Sequence, residues 1–193
     1  MGQMGEDRCC ECGKTTHGRD SVCLSSGSKE PGRLLCCACY NREIAERSGI
    51  TFQHPAFEPM ELVDANGIEH RFLFATRLLG DKFCIDAYEE SFDGYEFQVL
   101  GHALDDPMER FPELFGKMRR ALNRRHLVYE EDRFHISDEV VRGRISWDEA
   151  SDGSAPLLSI DGRPVKWDEF GKMLMTFEGW QFKLEIFDIS DEP

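Results

Sequence analysis

The stretch CCECGKTTHGRDSVCLSSGSKEPGRLLCCACYNREIAERSG, residues 9–49, holds seven of the eight cysteines of the 193-residue chain. It contains two identical CxxC pairs, Cys9 with Cys12 and Cys36 with Cys39. A CxxC turn can direct two thiolates at one ion, and two such turns complete a tetrahedral site. The stretch therefore predicts one structural zinc ion held by these four cysteines.

Each pair has a neighbour that could replace one of its members. Cys10 and Cys37 adjoin the pairs, although they would form CxC spacings that suit the turn less well. His17 and Cys23 are further candidate ligands. Unmetallated thiols are another alternative. Disulfide bonds are a weaker alternative than zinc binding, because the chain starts without a signal-peptide pattern and thiols stay reduced in the cytosol.

The residues around the pairs indicate a topology. The segment after Cys12 is rich in Gly, Ser and Thr, as in a small β-hairpin, and YNREIAERSG after Cys39 reads as a helix that ends at Gly49. A turn, a hairpin and a second pair at a helix start resemble the treble-clef group of zinc fingers and, less closely, a zinc ribbon. The resemblance covers residues 9–49 and implies a four-cysteine zinc module. It leaves the function open, because treble clefs serve DNA, RNA, ubiquitin and structural tasks.

Composition predicts a zinc module over residues 1–50, a linker over 51–59 and an acidic α+β domain over 60–193. Charges balance in residues 1–50, so the rest of the chain carries the whole net charge of −14. An acidic body repels nucleic acid and anionic membranes at long range. The 40% hydrophobic residues are sufficient for a core, and no apolar run is long enough to cross a bilayer. We therefore expect a cytoplasmic protein.

The first half of the predicted domain shows the period-2 pattern of a β-meander with one buried face. The turn sequences ANG, LGD and FDG separate its strands. The inward positions are Ile68, Phe72, Phe74 and Leu78, then Phe83, Ile85 and Ala87, then Tyr95, Phe97 and Val99. Lone Cys84 in this region is expected to be a small buried side chain rather than a nucleophile.

A helix is predicted over residues 107–125, with Asp106 as N-cap and Pro107 at the first position. Its apolar stripe is Phe111, Leu114, Phe115, Met118 and Leu122. Its other side is basic in an otherwise acidic domain, and the candidate partner-binding residues there are Arg110, Lys117, Arg120 and Arg124. The alternative is that these cations serve helix stability and local ion pairs.

The C-terminal third predicts short strands, a hairpin turned at Asp161-Gly162, a helix and a final strand. The side chains expected inside are Ile145 and Trp147, then Trp167, Phe170 and Leu174 of the helix, then Phe182, Leu184 and Ile186 of the final strand. The segment SIDGRPVKWDEFGKMLMTFEGWQFKLEIFD, residues 159–188, resembles uncharacterised bacterial proteins, a resemblance that implies no activity.

No phosphate-binding loop, dinucleotide fingerprint, HExxH or GxSxG motif occurs, and the six histidines show no catalytic spacing. The sequence therefore favours a zinc-stabilised adaptor that binds another protein and has no catalytic residues. One alternative is a nucleic-acid-binding protein that uses the zinc module and the basic helix. A second alternative is an enzyme with an unrecognised site in the α+β domain.

Overall fold

A computed structural model of the chain describes residues 7–16, 18–25, 32–91 and 94–191. These residues form the predicted α+β fold. The chain divides into two compact units. The first unit is Met1–Pro59, Leu73–Ala87 and Phe97–Phe115, and the second is Met60–Phe72, Tyr88–Glu96 and Gly116–Pro193. No helix among the described residues has the length and apolar character to cross a membrane.

The N-terminal part of the first unit contains two hairpins and a helix. The elements are β1 (Asp7–Arg8), β2 (Thr15–Thr16), β3 (Ser21–Leu24), β4 (Arg33–Cys36) and α1 (Cys37–Ser48). Strand β1 pairs antiparallel with β2, and β3 pairs antiparallel with β4. Gly49 ends α1 in the left-handed conformation, φ 65°. The predicted hairpin and helix are confirmed, although α1 already begins between the cysteines of the second pair.

A four-stranded sheet has the strand order β5-β6-β7-β8. Its strands are β5 (Met60–Val63), β6 (Glu69–Leu79), β7 (Lys82–Glu89) and β8 (Glu96–His102). This confirms the predicted meander. Its burial differs from the prediction, because every residue of β7 from Phe83 to Tyr88 is buried rather than alternate ones. Ile68 and Tyr95, predicted as inward strand residues, lie just outside β6 and β8, and Ile68 is exposed rather than buried.

The predicted helix is present in a shorter form. A 3-10 turn, Pro107–Arg110, leads into α2 (Phe111–Leu122). Asp106 caps the turn as predicted, since its Oδ1 accepts the backbone N–H of Met108 at 2.9 Å. Leu114, Met118 and Leu122 are fully buried, so the apolar stripe does face the interior. Residues 123–125, predicted as the last turn, lie outside the helix.

The C-terminal part of the second unit has its own core. Its elements are β9 (Leu127–Glu130), β10 (Arg133–Ile136), β11 (Arg144–Trp147), β12 (Pro156–Ile160), β13 (Arg163–Lys166), α3 (Trp167–Leu174) and a 3-10 turn, Met175–Phe177. Strands β9 and β10 form a hairpin, and β11-β12-β13 form a sheet. The predicted hairpin at Asp161-Gly162 joins β12 to β13. Leu127, Leu158, Ile160, Val165 and Met173 form the core.

The predicted final strand is wrong. Residues 181–188 form no strand, and Phe182, Leu184 and Ile186 are 91%, 73% and 71% exposed rather than buried. The alternation that predicted a strand sets which side chains share a face. It does not supply a neighbouring strand to complete the backbone hydrogen bonds.

Two further burial predictions are wrong. Ile145 and Trp147 lie in β11 as predicted, but β11 is an edge strand and both side chains are largely exposed. In α3, Trp167 and Leu174 are about half exposed, whereas Met173 is buried and Phe170 is half-buried against the core. The helix is therefore present as predicted, but the face that it buries is not the predicted one.

Candidate metal centre

The first cysteine pair lies on a tight turn between β1 and β2. The backbone N–H of Cys9 donates to the carbonyl of Lys14, and the N–H of Gly13 donates to the carbonyl of Cys9, both at 2.9 Å. Gly13 has φ 73°, a conformation that strongly favours glycine. The N–H of Cys10 donates to the carbonyl of Leu34 at 2.9 Å. This bond fastens the turn to β4, the strand that leads to the second pair.

The second pair lies where β4 becomes α1. Cys36 is the last residue of β4 and the N-cap of α1, with extended backbone angles, and Cys39 lies in the first helical turn. Cys9, Cys36 and Cys39 are buried together with Leu35. A strand end, a helix start and a tight turn thus bring two distant sequence pairs to one point.

The four sulfur atoms form one cluster. The Sγ atoms of Cys9, Cys12, Cys36 and Cys39 all lie within 4.8 Å of one another, and those of Cys12 and Cys36 are 3.7 Å apart. In a tetrahedral zinc–thiolate site with bonds of about 2.3 Å, two sulfurs are about 3.8 Å apart. The cluster therefore has the dimensions of a four-coordinate site and could hold one metal ion.

Burial and hydrogen bonding set the ionisation of these thiols. Burial alone would raise the pKa of Cys9, but hydrogen bonds with the backbone at Cys12, Cys36 and Glu11 lower it to about 6. Burial raises the pKa of Cys36 and, together with the adjacent sulfurs, that of Cys39. Cys9 therefore ionises readily, whereas burial disfavours the thiolates of Cys36 and Cys39. A bound divalent cation would remove this conflict by stabilising every thiolate.

The alternative ligands lie apart from this cluster. Cys10 and Cys23 do not belong to the group of sulfurs that could hold one ion, and both are exposed, as Cys12 within that group also is. Cys37 is buried, and its Sγ donates to the carbonyl of Arg19 at 3.6 Å. Burial raises the pKa of Cys37 to about 12, which disfavours the thiolate that a metal requires. His17 lies outside the described residues.

Arg42 provides a positive charge beside the sulfur cluster. Its guanidinium lies 3.8 Å from the Sγ of Cys39 and 3.4 Å from a carboxylate oxygen of Glu11. Hydrogen bonds from outside the ligand shell orient metal ligands and stabilise their charge. The CxxC spacing does not identify Arg42, although its position three residues after Cys39 places it one helical turn from that ligand.

Asn41 anchors α1 to the sheet and was also missed. This fully buried side chain donates from Nδ2 to the carbonyl of Thr76 at 2.8 Å and accepts at Oδ1 from the N–H of Leu78 at 2.9 Å. Strand β5 pairs only with the Glu69–Phe72 part of β6, so Asn41 bonds the stretch that β5 does not reach. The sequence did offer a signal, because asparagine is a poor helix former in a helix interior.

The basic residues predicted on α2 have different environments. Arg110 lies 3.7 Å from a carboxylate oxygen of Asp105 and 3.5 Å from one of Glu113. Lys117 is 8% exposed, and its Nζ donates to the carbonyl of Ser190 at 2.7 Å. Arg120 and Arg124 are exposed. Arg110 and Lys117 are thus engaged inside the chain itself.

The second unit contains a buried histidine, His70, between two carboxylates, and no sequence motif predicts this arrangement. Nδ1 of His70 lies 2.8 Å from Glu89, and its Nε2 lies 3.5 Å from a carboxylate oxygen of Asp64. The same unit has a cavity of about 260 Å³ lined in part by Arg125, Asp161 and Arg163. Ligand pockets usually measure about 300–1,000 Å³, so this cavity is small for a substrate site.

Three family models match successive parts of the chain, and each is described as a domain of unknown function. They cover residues 8–51 (DUF7685), 53–123 (DUF7686) and 126–191 (DUF7713). No curated protein and no solved structure matches the chain. The first model spans the whole four-cysteine region. The predicted domain boundaries at residues 50 and 59 stay a prediction.

Proposed function

We propose that the protein is a zinc-stabilised interaction protein, an adaptor that binds another protein and performs no catalysis of its own. The observation that carries this proposal is the cluster of four cysteine sulfurs within 4.8 Å. Four thiolates fill all positions of a tetrahedral ion, so no site is left for water or substrate. Such an ion stabilises the surrounding fold.

The choice of zinc rests on the donor set. Thiolates are soft ligands, and a tetrahedral set of four selects zinc or an iron–sulfur centre. The 3.7 Å separation of the Cys12 and Cys36 sulfurs fits a single zinc ion. The turn at Cys9–Cys12, the β3–β4 hairpin and α1 follow each other in the order of a treble clef, which supports assigning the module to that group.

The ion would hold together a module that is joined to a sheet. Asn41 bonds α1 to β6, and the hydroxyl of Tyr40 donates to the carbonyl of Leu78 at 3.1 Å. The zinc module is thereby presented on a fixed support. A rigid support favours recognition, because less conformational entropy is lost when the partner binds.

Nucleic-acid binding through the zinc module and α2 has less support. Arg110 is neutralised by nearby carboxylates, and Lys117 is buried. In the module, Lys14 pairs with Asp20 at 3.1 Å and Arg33 with Glu43 at 2.7 Å. The net charge of −14 also repels the phosphate backbone of a nucleic acid at long range.

Two measurements test the proposal. Elemental analysis of protein purified under reducing conditions should give one zinc per chain, and a zinc content near zero would contradict the metal assignment. An affinity pull-down from native extract, divided into nuclease-treated and untreated halves, should give the same protein partners in both. Partners that disappear after nuclease treatment would instead establish nucleic-acid binding.

A further inference from the structure

The strongest feature that the zinc site does not explain is the segment of residues 180–187, here called the C-terminal strap. It reads WQFKLEIF, and its apolar side chains are exposed to an unusual degree, with Phe182 at 91% and Leu184 at 73%. A contiguous exposed apolar surface of this kind marks an interaction site in a stable protein.

The strap has no turn or bend and is held at both ends. At its start, the N–H of Trp180 donates to the carbonyl of Phe177 at 2.9 Å, and the two rings pack edge to face at 5.6 Å. At its end, Asp188 Oδ1 accepts the N–H of Ser190 at 2.9 Å, and the carbonyl of Ser190 accepts from Lys117. Among the described residues, none forms a backbone hydrogen bond with residues 181–187. The strap thus has no turn, no bend and no neighbouring strand among the residues that the structure describes.

We propose that the straps of two copies of this chain pair as antiparallel strands centred on Leu184 and so form a symmetric homodimer. Within one chain Lys183 already pairs with Glu185. In this register Lys183 of each copy also lies opposite Glu185 of the other, and Phe182 lies opposite Ile186. Both ion pairs form across the two-fold axis, as a self-complementary interface requires. Opposite charges facing each other across two strands are stabilising.

The charges also exclude the neighbouring registers. A register centred on Lys183 or on Glu185 places like charges opposite each other, which is destabilising. A shift by one residue turns the apolar face of one strap to the polar face of the other. Parallel pairing in register aligns Lys183 with Lys183 and Glu185 with Glu185. Charge complementarity therefore favours a second copy of this chain as the occupant, in one orientation.

The even-numbered face of each strap is apolar, with Trp180, Phe182, Leu184 and Ile186. Its two aromatic side chains can each bury about 150 Å² or more. Two strands alone are marginally stable, so the apolar face of the ribbon needs a cover. Exposed Ile145 and Trp147 in each copy provide apolar surface for it.

The test is a charge exchange in the full-length chain. Analytical ultracentrifugation over a wide range of concentrations should show a monomer–dimer equilibrium. Lys183→Glu and Glu185→Lys should each raise the dissociation constant about tenfold, because each replaces two ion pairs with two repulsive pairs. The double variant should restore the original value, and an equimolar mixture of the single variants should form heterodimers. Both side chains are exposed, so folding is retained, which circular dichroism verifies.

Lys172→Glu is the matched control, since it changes the same charge on an exposed residue outside the strap, and its dissociation constant should equal that of the original chain. A chain that remains monomeric at about 100 µM, a concentration at which even weak dimers form, would overturn the proposal. A dimer insensitive to the single variants, or one that the double variant does not restore, would overturn it as well. If the strap binds only a different protein, the chain will remain monomeric in this experiment, and the homodimer proposal is overturned.

Discussion

At the scale of single residues, adjacent cysteines in this chain have different environments. Cys36 is a buried member of the sulfur cluster, whereas Cys10 is exposed and does not belong to it. We expect Cys36→Ser to weaken zinc binding by more than about 100-fold, because losing even an outer-shell partner costs about 10–100-fold. Cys10→Ser should bind zinc as the original chain does. Competition with a chromophoric chelator measures both affinities, and equal losses in the two variants would contradict the ligand assignment.

Asn41 gives a second prediction at this scale. Asn41→Ala leaves the buried carbonyl of Thr76 and the N–H of Leu78 without their partner, which should lower the free energy of unfolding by about 2–4 kcal/mol. Glu46→Ala, on the exposed side of the same helix, is the control and should change it by less than about 0.5 kcal/mol. Urea denaturation of the zinc-loaded protein measures both. Similar losses in the two variants would show that Asn41 has no special role.

His54 makes stability depend on pH. Burial lowers the pKa of His54, and its Nδ1 accepts a hydrogen bond from Nδ2 of Asn41 at 2.8 Å, so the folded state keeps the ring neutral. Below its ordinary pKa of about 6.5 the unfolded state takes up a proton that the folded state does not. The free energy of unfolding should therefore fall as the pH decreases through 6.5 toward the lowered pKa.

The variant His54→Gln should flatten this pH dependence, and His102→Gln, at an exposed position, should leave it unchanged. Urea denaturation at several pH values with zinc present gives the comparison. An unchanged slope in His54→Gln would assign the pH dependence to other groups.

At the scale of elements, two glycines should respond in opposite directions to alanine. In β8, a Cβ on Gly101 would lie 2.2 Å from the ring of Phe83, so Gly101→Ala should lower the free energy of unfolding by about 1–3 kcal/mol. In α3, Gly171 has nothing within 4 Å, so Gly171→Ala should raise it by about 0.5–1 kcal/mol through helix propensity. Thermal denaturation followed by circular dichroism measures both. The same sign in both variants would contradict the packing described for β8.

The elements show which predictions a sequence can support. Local signals were sufficient for the Asp106 cap, the turn at Asp161-Gly162 and the left-handed Gly49, because each depends on residues close in the chain. Pairing between distant strands is not encoded locally. The C-terminal strap alternates as cleanly as any strand, yet within one chain the described residues pair no strand with it.

For the candidate metal centre, the sequence predicts the four ligands but not the residues that surround them. The CxxC spacing identifies the four cysteines, because each pair only needs a local turn. The surroundings of the cluster were not predictable from spacing. Asn41 contacts Thr76 and Leu78, more than 30 residues away, and only the folded chain brings those groups together.

At the scale of the whole molecule, zinc removal should affect the chain unevenly. The four cysteines belong to the first unit, whereas all three tryptophans, Trp147, Trp167 and Trp180, belong to the second unit. The core around Leu158 and Val165 in the second unit contains no cysteine of the cluster. Tryptophan emission therefore reports on the second unit, and thiol reactivity reports mainly on the zinc module.

We expect a strong chelator to make the cluster cysteines reactive toward a thiol reagent while tryptophan emission stays unchanged. Structural zinc contributes about 10–16 kcal/mol to small modules, so residues 9–49 should unfold without it, whereas the second unit keeps its own hydrophobic core. Adding zinc back under reducing conditions should reverse the change, and magnesium should not, because Mg²⁺ prefers oxygen ligands. A shift in tryptophan emission that develops in step with thiol exposure would show instead that the second unit depends on the zinc module for its stability.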